Sequence, residues 1–345
     1  MKKESTKINI LLLNIVIILL SLKSLLAYNT NNIYTNNIYQ KINITYTYDS
    51  FYTGSIENKL FLAKNLFTNN KQILLANTFN YSEGVFIDKK DNSYILFSNT
   101  NNFSNTFSLL INYFKNEDDL KITDTFYFQS FWNYFLLNVN PFYNEESNDK
   151  NFILIGLINY FLNTDLFLAV FDGKDINKAI IFGTSSLDYP FYLSQYQDSY
   201  FNGFIILSLI DKNNYRDFID TKLNFDSKRY NSNSILITFV NKDLKIIKYF
   251  VLRFPNKIID LSIIKRSMDN ILLKVDFIDN ISNYYISSNF VNINFTDITL
   301  ANTNYNTFTN FYVDNSLIDF KNYQLSLKKI QTNLIFRKNI FLNGK

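Results

Sequence analysis

Leu166-Phe167-Leu168-Ala169-Val170, a polar turn at Asp172-Gly173-Lys174-Asp175, and Lys178-Ala179-Ile180-Ile181-Phe182-Gly183 form the stretch whose reading decides the fold. Both apolar runs are too short for a helix and are bounded by turn residues, which predicts an antiparallel hairpin. Elsewhere Ile73-Leu74-Leu75-Ala76 and Ile153-Leu154-Ile155-Gly156-Leu157 do not alternate apolar with polar, so their strands are expected to be covered on both faces. The pattern recurs. Leu60 to Lys64, a turn around Asn69-Asn70-Lys71, and Ile73 to Phe79 make an earlier copy. Phe107 to Ile111, a turn at 116–119, and Leu120 to Phe126 make another. Ser234 to Phe239, Asn241-Lys242-Asp243, and Leu244 to Phe250 follow. A closing copy is expected from Tyr323 to Ile330 and Leu334 to Phe341, across Gln331-Thr332-Asn333.

Working outward, each later hairpin is preceded by two more strand patterns. They run Val85 to Asp88 and Ser93 to Asn99, Phe135 to Val139 and Asn151 to Asn159, and Phe191 to Tyr196 and Gly203 to Ile210. Four strands per roughly 45–50 residues is the spacing of a repeated four-stranded sheet, which must stack on copies of itself to cover both faces.

Asp91-Asn92-Ser93-Tyr94-Ile95, Asp165-Leu166-Phe167-Leu168-Ala169 and Ile181-Phe182-Gly183-Thr184-Ser185-Ser186 stand in the order found in a known repeat. In them the chain resembles the tandem β-propeller repeats of exported bacterial proteins. The resemblance is best over residues 60–254 and weaker from 255 to 320. Asn, Asp and Ser stand where that family has Gly, and its last-strand Trp is absent. The resemblance implies an all-β propeller of four-stranded blades and no particular activity, because propellers host many functions. A β-sandwich or other all-β assembly remains the alternative. An outer-membrane barrel fits poorly, since runs such as Ile153-Leu154-Ile155-Gly156-Leu157 lack clean alternation.

The organisation expected is a signal peptide over 1–27, a low-complexity tract over 28–52 and a propeller-like domain over 53–345. Lys2, Lys3 and Lys7 precede an apolar core from Ile8 to Leu20, and a polar segment ends at Leu25-Leu26-Ala27 before Tyr28. Those are the parts of a secretory leader. The core is broken by Asn9 and Asn14 and is shorter than the ~20 residues of a spanning helix. Cleavage and release to the periplasm or cell surface is therefore favoured over an uncleaved membrane anchor, and no integral span is expected afterwards. The low-complexity tract carries Thr-Asn-Asn-Ile-Tyr twice, at 30–34 and 35–39. It reads as a flexible lead-in or as a strand closing the ring.

Composition narrows the chemistry. Aromatics at 18% favour strands, and with Gly at 7 and Pro at 3 the abundant Asn must make many turns. The whole chain is +4, but the leader holds four of the lysines and one Glu, leaving a body of about +1. Such a body exerts no sustained pull on phosphates, which argues against nucleic acid. With no His and no Cys, the Ser-His-Asp and Cys-His nucleophile systems, His-ligated metals and disulfides are all excluded.

The remaining candidates each have a plain structural reading. Asp172 to Asp175 and Asp88 to Asn92 cluster carboxylates without calcium-loop spacing, so solvated turns are expected. Trp132 and Tyr284-Tyr285 are expected in packing, and Lys328-Lys329 in solvent. For partner contact the best candidates are Trp132, Tyr143, Glu145 and Glu146, around the polar insertion after Pro141. The function expected is a non-enzymatic exported scaffold, without metal or organic cofactor, that holds a protein or glycan partner at its blade loops. The alternative is a carbohydrate-active enzyme using two carboxylates, on the same fold.

Overall fold

The computed structural model describes residues 31–33, 42–67, 72–76, 81–101, 107–116, 120–130, 133–143, 149–160, 163–184, 186–211, 232–254, 257–267, 269–278, 286–300, 312–313, 321–325, 327–331 and 336–338. Among them the regular structure is all strand, in five antiparallel sheets, and no helix is long and apolar enough to cross a membrane. By its contacts the chain divides into two units. One comprises Met1–Asn105, Leu110–Phe126 and Thr332–Lys345, and the other Thr106–Leu109 and Tyr127–Gln331.

In the first unit, β1 (Asn31–Ile33), β2 (Ile42–Tyr48), β3 (Phe51–Ile56), β4 (Lys59–Lys64) and β5 (Gln72–Ala76) form a meander. The next meander is β6 (Tyr81–Lys90), β7 (Ser93–Asn101), β8 (Phe107–Asn116) and β9 (Leu120–Gln129). Asn and Asp stand in for glycine at several turns: Asp49, Asn58, Asn65 and Asp91 all have φ between 50° and 65°. Phe51, Tyr94 and Phe114 pack as an aromatic triplet with centroids 4.7–5.3 Å apart.

The second unit holds three meanders. β10 (Asn133–Tyr143), β11 (Lys150–Tyr160), β12 (Asn163–Phe171) and β13 (Ile176–Gly183) make the first. β14 (Leu187–Gln197), β15 (Asn202–Asp211), β16 (Ser234–Asn241) and β17 (Ile246–Arg253) make the second. β18 (Ile258–Arg266), β19 (Ile271–Ile278), β20 (Ile286–Ile293) and β21 (Ile298–Leu300) make the third. Central strands are covered on both faces: Phe152 to Leu157 in β11 are buried throughout, as their lack of alternation predicts, and so are Leu166 to Ala169 in β12, whereas in β5 Leu75 stays partly open beside buried Ile73, Leu74 and Ala76.

One irregularity recurs. Every meander carries a β-bulge, on the second strand, β2, of the first and on the leading strand of the other four, with Thr45, Val85, Leu137 and Phe191 as the extra residues in the first four and Ile259 and Ile264 in the fifth. Opposite the residue before each of the first four bulges stands a small one: Gly54, Ser98, Gly156 and Ser208. The bulged strand bends toward its neighbour. A methyl group on Gly54 would overlap the Asn43 carbonyl, and one on Gly156 would overlap that of Phe135. Pro141 and Pro190 also lie on leading strands, at the sheet edge, where a missing N–H is tolerated.

The end of the chain departs from the sequence reading. The closing hairpin expected over 323–341 does not form. β22 (Tyr312–Val313), β23 (Lys321–Gln324), β24 (Lys328–Gln331) and β25 (Phe336–Lys338) each join a different sheet. They pair in turn with the outer edges of β17, β13, β9 and β5, in reverse chain order. An outer edge of unpaired backbone groups outweighs pairing between two short tail segments. β1 and β25 thus lie on opposite edges of the same sheet. That sheet also draws on residues of the low-complexity tract, through β1 and β2.

Candidate functional site

Sheet ends formed by first-to-second strand turns carry the most exposed tyrosines among the described residues of the second unit. β10 ends on Phe142, which is buried, and Tyr143, which is 64% exposed and paired in register with Lys150. In the following sheet, Asp198 shapes the β14–β15 turn. Its Oδ1 accepts the N–H groups of Tyr200 and Phe201, each at 2.7 Å. This Asx-type closure turns Phe201 inward and leaves Tyr200 outward, 74% exposed. The two sheet ends are held side by side. Phe142 meets Phe204 edge-on at 5.0 Å, and Asn140 Nδ2 donates to the Leu193 carbonyl at 3.0 Å.

Beneath Tyr200 lies an aromatic hub. Phe201 stacks on Phe295 at 4.7 Å, Phe239 meets both edge-on, and Lys248 stands 4.5 Å from the Phe250 ring centroid. The Tyr196 hydroxyl accepts the Phe295 N–H at 2.9 Å and lies 2.8 Å from the Asp269 carbonyl and 3.0 Å from Asp198 Oδ2. Burial pushes this phenol up to about 12, against the opposing Phe295 N–H. It is a structural tie, not an acid or base for neutral pH.

Buried polar side chains recur at one place on the leading strands, two residues before the position that precedes the bulge. Ser82 Oγ accepts the Leu60 N–H at 2.7 Å, and Tyr134 OH accepts the Leu109 N–H at 3.2 Å. At the corresponding place, Asp188 accepts from the Thr184 N–H and, at 3.1 Å, from its hydroxyl. Each clasps a backbone N–H of the preceding meander or its exit. Asp188 has company. A Cβ placed on Gly183 would lie 2.5 Å from Asp188 Oδ2 and 3.1 Å from Asp165 Oδ1, so both carboxyl groups crowd one glycine. Burial first, then Asp165 nearby, holds the Asp188 carboxyl well above the usual range, opposed by the Thr184 N–H. Asp188 is 0% exposed and Asp165 2%, so no substrate reaches the pair. In the first unit Glu83 is similarly enclosed, accepting from Tyr81 OH and from Asn43 Nδ2 at 3.2 Å.

No protein family, no curated protein and no solved structure matches this chain.

Of the residues singled out for partner contact, Tyr143 is described and exposed, whereas Trp132, Glu145 and Glu146 lie outside the described residues. Tyr284 and Tyr285 lie outside them too. Asp172 to Asp175 form a turn in which Asp172 Oδ1 accepts the N–H groups of Lys174 and Asp175 at 2.7 Å, and Asn177 Nδ2 donates to Oδ2. Those carboxylate oxygens serve the backbone. Asp88 is not solvated as the sequence suggested. It is buried, and after burial itself it is the next influence pushing the Tyr46 phenol up to about 12. Lys329 also differs from expectation: its ammonium donates to the Lys174 carbonyl and stands 3.8 Å from Asp175. Among the described residues no three carboxylates gather to hold a metal. Sequence reading missed Asp188 and Tyr200, which have no motif. Asp188 is recognisable only by aligning Ser82, Tyr134 and Asp188 through their bulges.

Proposed function

We propose that this chain is an exported, non-enzymatic binding scaffold of propeller type, its five meanders acting as blades and its first-to-second strand turns receiving a protein or glycan partner. The observation that carries the reading is the pair of exposed tyrosines, Tyr143 and Tyr200, on the like ends of adjacent sheets. Tyrosine offers a rigid, amphipathic contact surface at low conformational cost and is enriched in recognition sites. The base beneath them, from Phe142–Phe204 to the Tyr196 hub, is packed and hydrogen-bonded, so the ring positions are supported by rigid elements. The recurrent bulge in all five meanders supports the blade reading.

The competing reading is a carbohydrate-active enzyme that uses two carboxylates facing each other across a sugar. Asp165 and Asp188 come nearest to that arrangement, but their burial supports a structural role. The test is a double substitution, Tyr143→Ser with Tyr200→Ser, compared with the parent on a glycan array and in capture from an envelope extract. An anchoring tyrosine is worth about 2 kcal/mol, so capture is expected to weaken roughly thirtyfold while the melting temperature holds. Unchanged capture overturns the assignment of this face. Glycan cleavage abolished by Asp165→Asn or Asp188→Asn would establish the enzyme instead.

A further inference from the structure

We infer that the outer edge of β13 is a strand-acceptor site, filled by the chain's own C-terminal segment and able to receive the same segment from a second copy. The edge is proven as an acceptor by its occupant. Ile180, Ile181, Phe182 and Gly183 pair in register with Gln324, Tyr323, Asn322 and Lys321, and the Leu325 N–H donates to the Ala179 carbonyl at 2.9 Å. Recognition there is largely through backbone, the mode by which sheet edges take up extended peptides.

Three features make the occupant exchangeable. First, its pairing is short. β23 contributes four register pairs, β22 two and β25 three, whereas β14 and β15 share ten. Second, the seam is incompletely filled. A cleft of about 380 Å³ opens where the segment leaves β13, lined by Ile176, Asn177, Ala179, Gln324, Leu325 and Leu327. Third, the Lys329–Asp175 pair beyond it is 3.8 Å long and partly exposed on both sides, so solvent screens it. A second copy presents identical partners to the same edge, and only the effective concentration of the tethered segment, on the order of mM, favours its own. A covalent trap removes that bias.

The chain has no cysteine, which makes the trap clean. Because Leu325 N–H bonds Ala179 O, those two residues form a hydrogen-bonded pair, and Ile180–Gln324 is the adjacent non-hydrogen-bonded pair. Side chains of such a pair lie closest, within reach of a disulfide. Ile180→Cys and Gln324→Cys are made in separate full-length chains, mixed and oxidised. Exchange predicts a disulfide-linked species of twice the chain mass in the mixture, well above that formed by either chain alone, rising with concentration and linked 180 to 324. The double variant reports the register by closing its disulfide within one chain. A mixture with no more dimer than its components, beside an intrachain disulfide in the double variant, overturns the inference. So does a double variant that folds but fails to close.

Discussion

Asp188 shows how a single side chain can set the pH dependence of the fold. Its enclosure, and then Asp165 beside it, hold its folded pKa well above the usual carboxylate range, against the hydrogen bonds it accepts from Thr184. The unfolded chain releases this proton near the ordinary value, about 3.9. Between the two, the folded state holds a proton that the unfolded state has lost. The contribution is therefore complete below the unfolded pKa and is lost as pH rises through the folded one. Asp188→Asn keeps an acceptor for the Thr184 N–H and a donor for its hydroxyl without the titration. Urea denaturation of both proteins from pH 4 to 7 should show the variant gaining on the parent as pH rises. Each unit of raised pKa is worth about 1.4 kcal/mol. A constant difference across that range would contradict the assignment. Nothing in Leu187-Asp188-Tyr189 announced this group, because a buried acid and a turn acid look alike in sequence.

At the scale of the strand, the bulge and the small residue opposite it form one device. Gly156 fits only because it lacks a side chain: a Cβ would overlap the Phe135 carbonyl and crowd the Phe167 ring. A carbonyl on a strand paired along its length cannot move aside as a flexible side chain would. Gly156→Ala is expected to destabilise by about 1–3 kcal/mol, the usual cost of overpacking a core, read from the denaturation midpoint. A neutral result would show that β10 can shift. Strands themselves were legible: β4 and β5, β8 and β9, β12 and β13, and β16 and β17 fall on the apolar runs of the four expected hairpins. Bulges were not legible, because an extra residue inside an apolar run leaves the run apolar. The small residues opposite them become a signal only once the register is known. Leu244 marks the same limit. The sequence places it in a strand, whereas it sits in the turn at φ 60° with its side chain buried.

For the molecule as a whole, repetition was readable and the path of the tail was not. Tyr323 to Ile330 and Leu334 to Phe341 look like the two arms of a hairpin, and local pattern cannot say which distant edge is unoccupied. Of the proposed contact residues, Tyr143 stands exposed at the end of a strand beside the buried Phe142, whereas Trp132, Glu145 and Glu146 lie outside the described residues. Export is a proposal on the same footing as the binding role. It rests on the lysine-led apolar segment before Tyr28, and it predicts that intact-mass measurement of the exported protein begins at Tyr28. Retention of residues 1–27 would make the segment an anchor instead.

The tail strands also give the fold an order in time. Phe336, Arg337 and Lys338 pair with Ala76, Leu75 and Leu74, so this sheet is completed by residues made long after its other strands. A chain emerging from its N-terminus first can close each meander as it appears, since neighbouring strands within it are consecutive in the chain. The outermost row of each of four sheets must wait, and it is supplied last to first. Closing so long a loop costs entropy that short pairings recover slowly. The nascent molecule therefore passes through an interval in which its meanders are formed while their outer backbone groups are still satisfied only by water.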